Sequence, residues 1–190
     1  MSRHHFCSAV PLLLVVVMMC CNTCGPAAAE DSNSGDVRLP QRVGVFLPQK
    51  TSVLPKEGAG PGDVRDAFVS PSIVSAGGVI VALAEGRKWH SAPQHPAAKT
   101  LAIDIVAGYL NATEPWSSMV AYITSSKWNA HTVFDRETPK DGLGMAILPT
   151  SLSKGNELFL LVGSSYFVFD PTTQHWIEGG GDIHLVKGEV

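Results

Sequence analysis

The chain has 190 residues, with 14 Lys and Arg against 17 Asp and Glu and a formal charge of −3. That is the length of one domain, and the slight acidity argues against a basic face for nucleic acid or anionic lipid. All four cysteines, Cys7, Cys20, Cys21 and Cys24, fall among the first 29 residues, so the remainder has no disulfide framework and no thiolate to act as nucleophile or metal ligand.

Those first residues read as a secretory leader. Arg3, His4 and His5 make a weakly basic start, Ala9–Cys21 is apolar, and Ala27, Ala28 and Ala29 supply the small residues a signal peptidase needs. The apolar run falls short of the ~20 residues a bilayer crossing requires. Residues 1–29 are therefore expected to be removed, leaving a formal −4 because one basic residue, Arg3, goes with them. The mature chain is expected to be secreted or held at the cell surface. No transmembrane segment is expected in it, nor a hydrophobic C-terminal tail of the kind that directs a glycolipid anchor.

Residues 30–62 are expected to be disordered or extended, starting from the small polar run Glu30–Arg38. Within them Val43–Leu47 (VGVFL) offers a short strand, and Pro48–Gly62 reads as a long loop broken by Pro55, Pro61, Gly58, Gly60 and Gly62. GAGPG has the glycine count of a phosphate loop but no Lys-Ser/Thr after it, so it reads as a turn.

The central stretch is FVSPSIVSAGGVIVALAEGR, Phe68–Arg87. Pro71 suits a strand's beginning, since it cannot donate to a ladder. Ser72–Ala76 and Val79–Ala84 are two strands, and Gly77-Gly78 supplies the positive φ angles of a two-residue hairpin turn. Glu85 and Arg87 then place opposite charges at the mouth of a buried hairpin, making both candidate ligand-binding residues. Lys88–Lys99 reads as a loop carrying Pro93 and Pro96. Its His90 and His95 lack a third ligand and a helix to hold them on one face, so no metal or other cofactor is expected.

Leu101–Leu110 reads as a strand whose apolar run is interrupted by Asp104. Asn111-Ala112-Thr113 is an N-glycosylation acceptor in a connection, which fits a chain entering the secretory pathway. Further strands are expected at Met119–Thr124, Ala130–Phe134, Ala146–Leu152, Glu157–Val162, Tyr166–Phe169 and Ile183–Val186. Lys154-Gly155-Asn156 and Asp170–Thr173 turn the chain between them. Trp89, Trp116, Trp128 and Trp176 each follow or close a strand and are expected in the core. No G-x-S-x-G elbow gathers the serines, histidines and aspartates into a triad.

The fold class is all-β, with nine or ten short strands and no convincing helix. Four-stranded meanders of ~40–50 residues are the blades of a propeller, so residues 63–190 are expected to form about two blades and part of a third.

Several motifs carry a family resemblance. FVSPSIVSAGGVIVALAEGR, IDIVAGY, KWNAHTVF, KGNELFLLVGS and IHLVKGEV, in that order from about Arg42 to Val190, resemble the amino-terminal part of the trypanosomal trans-sialidase superfamily. The resemblance implies a partial six-bladed sialidase-type propeller and an exo-α-sialidase or trans-sialidase activity. Active members hold the substrate carboxylate with three arginines, the first in Phe-Arg-Ile-Pro, where this chain reads Phe68-Val69-Ser70-Pro71. Val69 has no charge to offer a carboxylate, and Arg65 lies upstream in a loop. Arg87 matches a sugar-holding arginine, and Glu85 stands in place of an aspartate. The acid/base aspartate that follows has no counterpart, since no Asp or Glu occurs between Arg87 and Asp104, and Leu148 occupies the position of a further sugar-contacting aspartate. The tyrosine–glutamate nucleophile pair and the other two arginines match nothing up to residue 190.

The expected function is therefore a catalytically inactive, trans-sialidase-like glycoprotein that binds host sialoglycans, cell-surface or matrix proteins, or serves as an antigenic decoy. Active exo-sialidase is the alternative, and a truncated product with little function of its own is a third reading.

Overall fold

The computed structural model describes residues 41–190, except 57, 59, 93, 94, 140 and 141. The signal-peptide reading and the polar run up to residue 40 lie outside the described residues. Arg42–Val190 forms one compact unit. Its strands are β1 (Ser52–Leu54), β2 (Ala67–Ala76), β3 (Val79–Ala92), β4 (His95–Asn111), β5 (Asn129–Phe134), β6 (Leu143–Lys154), β7 (Glu157–Asp170), β8 (His175–Glu178) and β9 (Asp182–Glu189), with one helix, α1 (Trp116–Ile123), between β4 and β5.

The strands make two meanders. In the first, β2, β3, β4 and β5 pair antiparallel in chain order, and β1 lies parallel on the far edge of β5. The β2–β3 turn is the expected glycine pair: Gly77 and Gly78 have φ of 55° and 80°, a left-handed pair that side chains resist. The second meander starts with β6 and β7, turning at Gly155 with φ 62°. β8 and β9 then share the far edge of β7, pairing with Phe167–Asp170 and Glu157–Ser164 respectively. A single parallel pairing, Ile103 with Met145, joins the two meanders. Two such sheets packed face to face are the repeating contact of a β-propeller.

The alternation of each strand decides what fills the space between the sheets. Val81 and Leu83 of β3, Ile105 and Ala107 of β4, and Leu160 and Val162 of β7 form that inner core. The other face of β3 and β4 is covered by the chain before β1 and by α1. Val53, Ala84, Val106 and Ala130 pack there under Phe46 and Phe68, and Leu110, Ile123 and Trp128 pack beside them. Trp128 lies flat against Gly108, where a Cβ would come within 2.6 Å of the ring, and its Nε1 donates to the Val45 carbonyl at 2.6 Å.

Several expectations are corrected. Met119–Thr124 is not a strand but most of α1, because Met119 and Ile123, four apart, both reach the cluster of Leu110 and Trp128. Its Val, Tyr and Ile give it a strand's composition, and tertiary packing overrides that. Val43–Leu47 is not a strand either. It packs Val43, Val45 and Phe46 as irregular chain and turns where the Leu47 carbonyl accepts from Thr51 N–H, and the strand of that region is β1. Where a loop was expected over Lys88–Lys99, Lys88–Ala92 and His95–Lys99 are strand, with Pro96 inside a bulge of the β3–β4 ladder where its missing N–H breaks no pairing. Glu157–Val162 and Tyr166–Phe169 are one strand, since Gly163, Ser164 and Ser165 continue the pairing with β6. Of the four tryptophans only Trp128 is core. Trp176 is half-buried, while Trp89 and Trp116 are 59% and 48% exposed.

Candidate functional site

The two charged residues at the end of the central hairpin sit where the sheets meet. Odd-numbered residues of β3 face the second sheet, so Glu85 follows Val81 and Leu83 into the interface and is only 1% exposed. A lone buried carboxylate would cost several kcal/mol, and three strands supply its partners. Oε1 accepts from the Leu148 backbone N–H at 2.9 Å. Oε2 accepts from Arg87 Nη2 at 2.7 Å and Nε at 3.1 Å. Burial by itself would raise the Glu85 pKa. Hydrogen bonds from Leu148 N–H, Arg87 and Ser70 outweigh it, and the carboxyl is held below its ordinary value.

Two backbone irregularities converge on this carboxylate. β2 bulges between Val69 and Ser72, with Ser70 at φ 50°, and β6 bulges between Ile147 and Thr150, with Leu148 at φ 55°. Left-handed conformations at residues with side chains cost of order 1–3 kcal/mol and persist where surroundings hold them. Glu85 bonds to both of these residues. Just beyond, the hydroxyls of Ser72 and Ser151 meet at 2.8 Å and join β2 to β6.

Val69 is the cross-strand partner of Glu85, on the same face of the sheet. It presents two methyl groups and no charge beside the Glu85 carboxylate. Leu148 lends its N–H to Glu85 and leaves its side chain in water. Arg87 is about one-third exposed and tied through Nε and Nη2 to Glu85.

Arg65, the other nearby base, is committed elsewhere. Its Nε and Nη2 grip Asp104 at 3.0 and 2.7 Å in a two-pronged pair, and Thr132 Oγ1 donates to the same carboxylate at 2.6 Å. Burial opposes the Arg65 charge, but the bonds and charge of Asp104 outweigh it and raise its pKa. Gly86 makes room for the pair: a Cβ there would lie 2.6 Å from Asp104 Oδ1. Asp104 thus interrupts its apolar run as the far half of an ion pair. Sequence reasoning missed the pair because no spacing rule links residues 39 apart.

On the opposite side of β3 lies an open cleft of about 280 Å³, lined among others by Arg65, Lys88, His90, Asp104 and Arg136. Its charges are largely matched: Lys88 pairs with Asp63, and Arg136 with Asp182 at 2.6 Å. Burial, then the neighbouring Lys88 charge, lowers the His90 pKa. Arg136 was not singled out from sequence, and its neighbours Asp182 and His184 come from β9, far along the chain. His90 and His95 lie on different strands, and His95 packs on Phe169 with ring centroids 5.4 Å apart. Among the described residues no three potential ligands gather as a metal site.

Asn111 closes β4 and is exposed. Its Oδ1 accepts from the Thr113 N–H at 3.0 Å and the Thr113 hydroxyl at 2.8 Å.

No family model matches the chain. Sialidase 85-1.1 of Trypanosoma cruzi is 43% identical over 166 residues, which are 87% of this chain and 22% of that relative. The chain thus spans about a fifth of the length of the relative it matches. Among solved structures, Trypanosoma rangeli sialidase matches with a TM-score of 0.47 at 20% identity, over 78% of this chain and 24% of that one. The same sialidase in complex with sialic acid gives 0.48 at 21% identity, with the same shares covered.

Proposed function

This chain belongs to the trypanosomal sialidase and trans-sialidase family, and from that premise we propose that it is a catalytically silent member, secreted or displayed at the cell surface, that acts by binding host glycans or surface proteins. The observation that carries the reading is the state of Glu85. Its carboxylate is buried, ionised and bonded to Leu148 N–H and Arg87, while Val69 occupies the facing position. No Asp or Glu occurs between Arg87 and Asp104 to serve as the general acid, and Glu85 is spent on bonds to the chain itself. An uncharged residue at 69 removes one of the arginine grips that active members use to position the substrate.

Secretion is supported by the basic–apolar–small order of residues 3–29 and by the exposed acceptor at Asn111. Among the described residues, no helix is long and apolar enough to cross a membrane. The proposal is tested by offering purified, folded protein a sialyllactose substrate and an array of sialylated and asialo glycans. Binding without release of sialic acid is expected. Turnover that disappears in a folded Glu85→Gln, Arg87→Ala variant would overturn it.

A further inference from the structure

We propose that Asn111 carries an N-linked glycan whose first sugar stacks on the ring of Tyr109, so that the modification braces the open end of the first sheet. The inference rests on the secretory reading above and adds to it a contact that reading does not require.

Tyr109 and Asn111 are two apart on β4, so their side chains leave the same face of the sheet about 7 Å apart. The register confirms it, with Tyr109 opposite Val81 and Asn111 opposite Val79 on the β3 face that looks toward the second sheet. Tyr109 is 42% exposed although it lies beside core residues. One side of its ring leans on His131, with centroids 6.0 Å apart and planes tilted by 58°. The exposed part of it meets water, where an aromatic surface gains by being covered.

Thr113 prepares the asparagine. Its N–H and hydroxyl both bond to Asn111 Oδ1, which fixes the amide plane. Nδ2 is the half of the amide left for chemistry. In transfer from a lipid-diphosphate-linked oligosaccharide, Nδ2 bonds to the anomeric carbon, the bond from that carbon to the diphosphate oxygen breaks, and the amide gives up one proton. A pyranose joined there has a face of C–H groups within reach of a ring two residues back on the same strand.

The test expresses the full chain in a eukaryotic secretory host as wild type, Asn111→Gln, Tyr109→Ala and Tyr109→Phe. Intact mass before and after glycosidase treatment reads occupancy. Melting temperatures of the glycosylated, endoglycosidase-trimmed and fully deglycosylated forms read the contact within each variant, so any cost of the substitution itself cancels. A glycan is expected on wild type and on both Tyr109 variants, and none on Asn111→Gln. In wild type and Tyr109→Phe the glycan should raise the melting temperature by about 2–4 °C, the scale of one aromatic contact in a domain of this size. Trimming to a single sugar should keep that rise, and Tyr109→Ala should abolish it. An equal rise in Tyr109→Ala would overturn the stacking contact while leaving secretion intact. A secreted but unmodified chain would overturn the glycan itself, and an unmodified chain retained in the cytosol would overturn the secretory reading beneath both.

Discussion

The two sheets share a construction and differ in what covers them. At the middle of β3 and β4 the first sheet is dry on both faces: Leu83 and Ile105 look into the interface, and Ala84 and Val106 look into the cover made by Phe46, Phe68 and Val53. The second sheet buries Leu160 and Val162 against the first. On its outer face Leu161 pairs with Leu185, and Gly163 with Ile183. Ile183 and Leu185 there are 77% and 69% exposed. β9 thus carries Ile183 and Leu185 on its wet side even though Val186 faces the core, a departure from the usual hydrophobic-in pattern. Identical side chains are worth very different amounts in the two places, because the hydrophobic contribution follows area removed from water and not residue type.

The largest effect is expected where the first sheet buries charge. Arg65→Ala would leave Asp104 without its guanidinium in a nearly dry site, a loss of about 3–5 kcal/mol readable in the urea midpoint. Next comes a matched pair of truncations. Ile105→Ala, fully buried between the sheets, should cost about 2–5 kcal/mol. Leu185→Ala on the outer face should stay within about 0.5 kcal/mol. Equal losses would break the contrast between the faces.

A smaller effect appears as pH dependence. The Glu85 carboxyl is held below its ordinary value of 4.5, so on acidification the unfolded chain takes up this proton first. Its contribution is fully present above that ordinary value and drains away as pH falls through the lower folded value. Glu85→Gln should therefore be less stable than wild type near neutrality, with the gap narrowing in acid, measured as urea midpoints against pH. The smallest change in stability belongs to Leu185→Lys, which should leave the midpoint almost unmoved yet reduce binding of a hydrophobic dye and self-association, because it charges an exposed apolar edge strand. Unchanged dye binding would mean that this face is not the sticky one.

How much of this was legible in the sequence follows the range of each interaction. Local signals were clear: Gly77-Gly78 and Gly155 needed left-handed angles, and both turns lie where those glycines placed them. The strands of β3, β4, β6 and β7 were found by their apolar runs, though short by several residues, because pairing with a neighbour carries polar segments such as Gly163–Ser165 into the ladder. α1 was lost because eight residues of strand-like composition leave only Met119 and Ile123 to mark the helical period. At the candidate site, Glu85 and Arg87 were visible as a charged pair, and Val69 and Leu148 as departures from the family motif. The bulges that bring Ser70 and Leu148 onto the Glu85 carboxylate, and the Arg65–Asp104 pair behind it, depend on contacts between distant strands that no sequence period encodes.

The tie between the sheets is tested most directly by equilibrium urea unfolding of Glu85→Ala beside wild type at neutral pH. Removing the carboxylate leaves the Leu148 N–H without its acceptor and frees an Arg87 guanidinium that is already about one-third exposed, and a loss of about 1–3 kcal/mol is expected, the cost of a buried donor left unsatisfied. A variant as stable as wild type would contradict it, and would mean that Glu85 is free to face a ligand rather than to hold β2, β3 and β6 together.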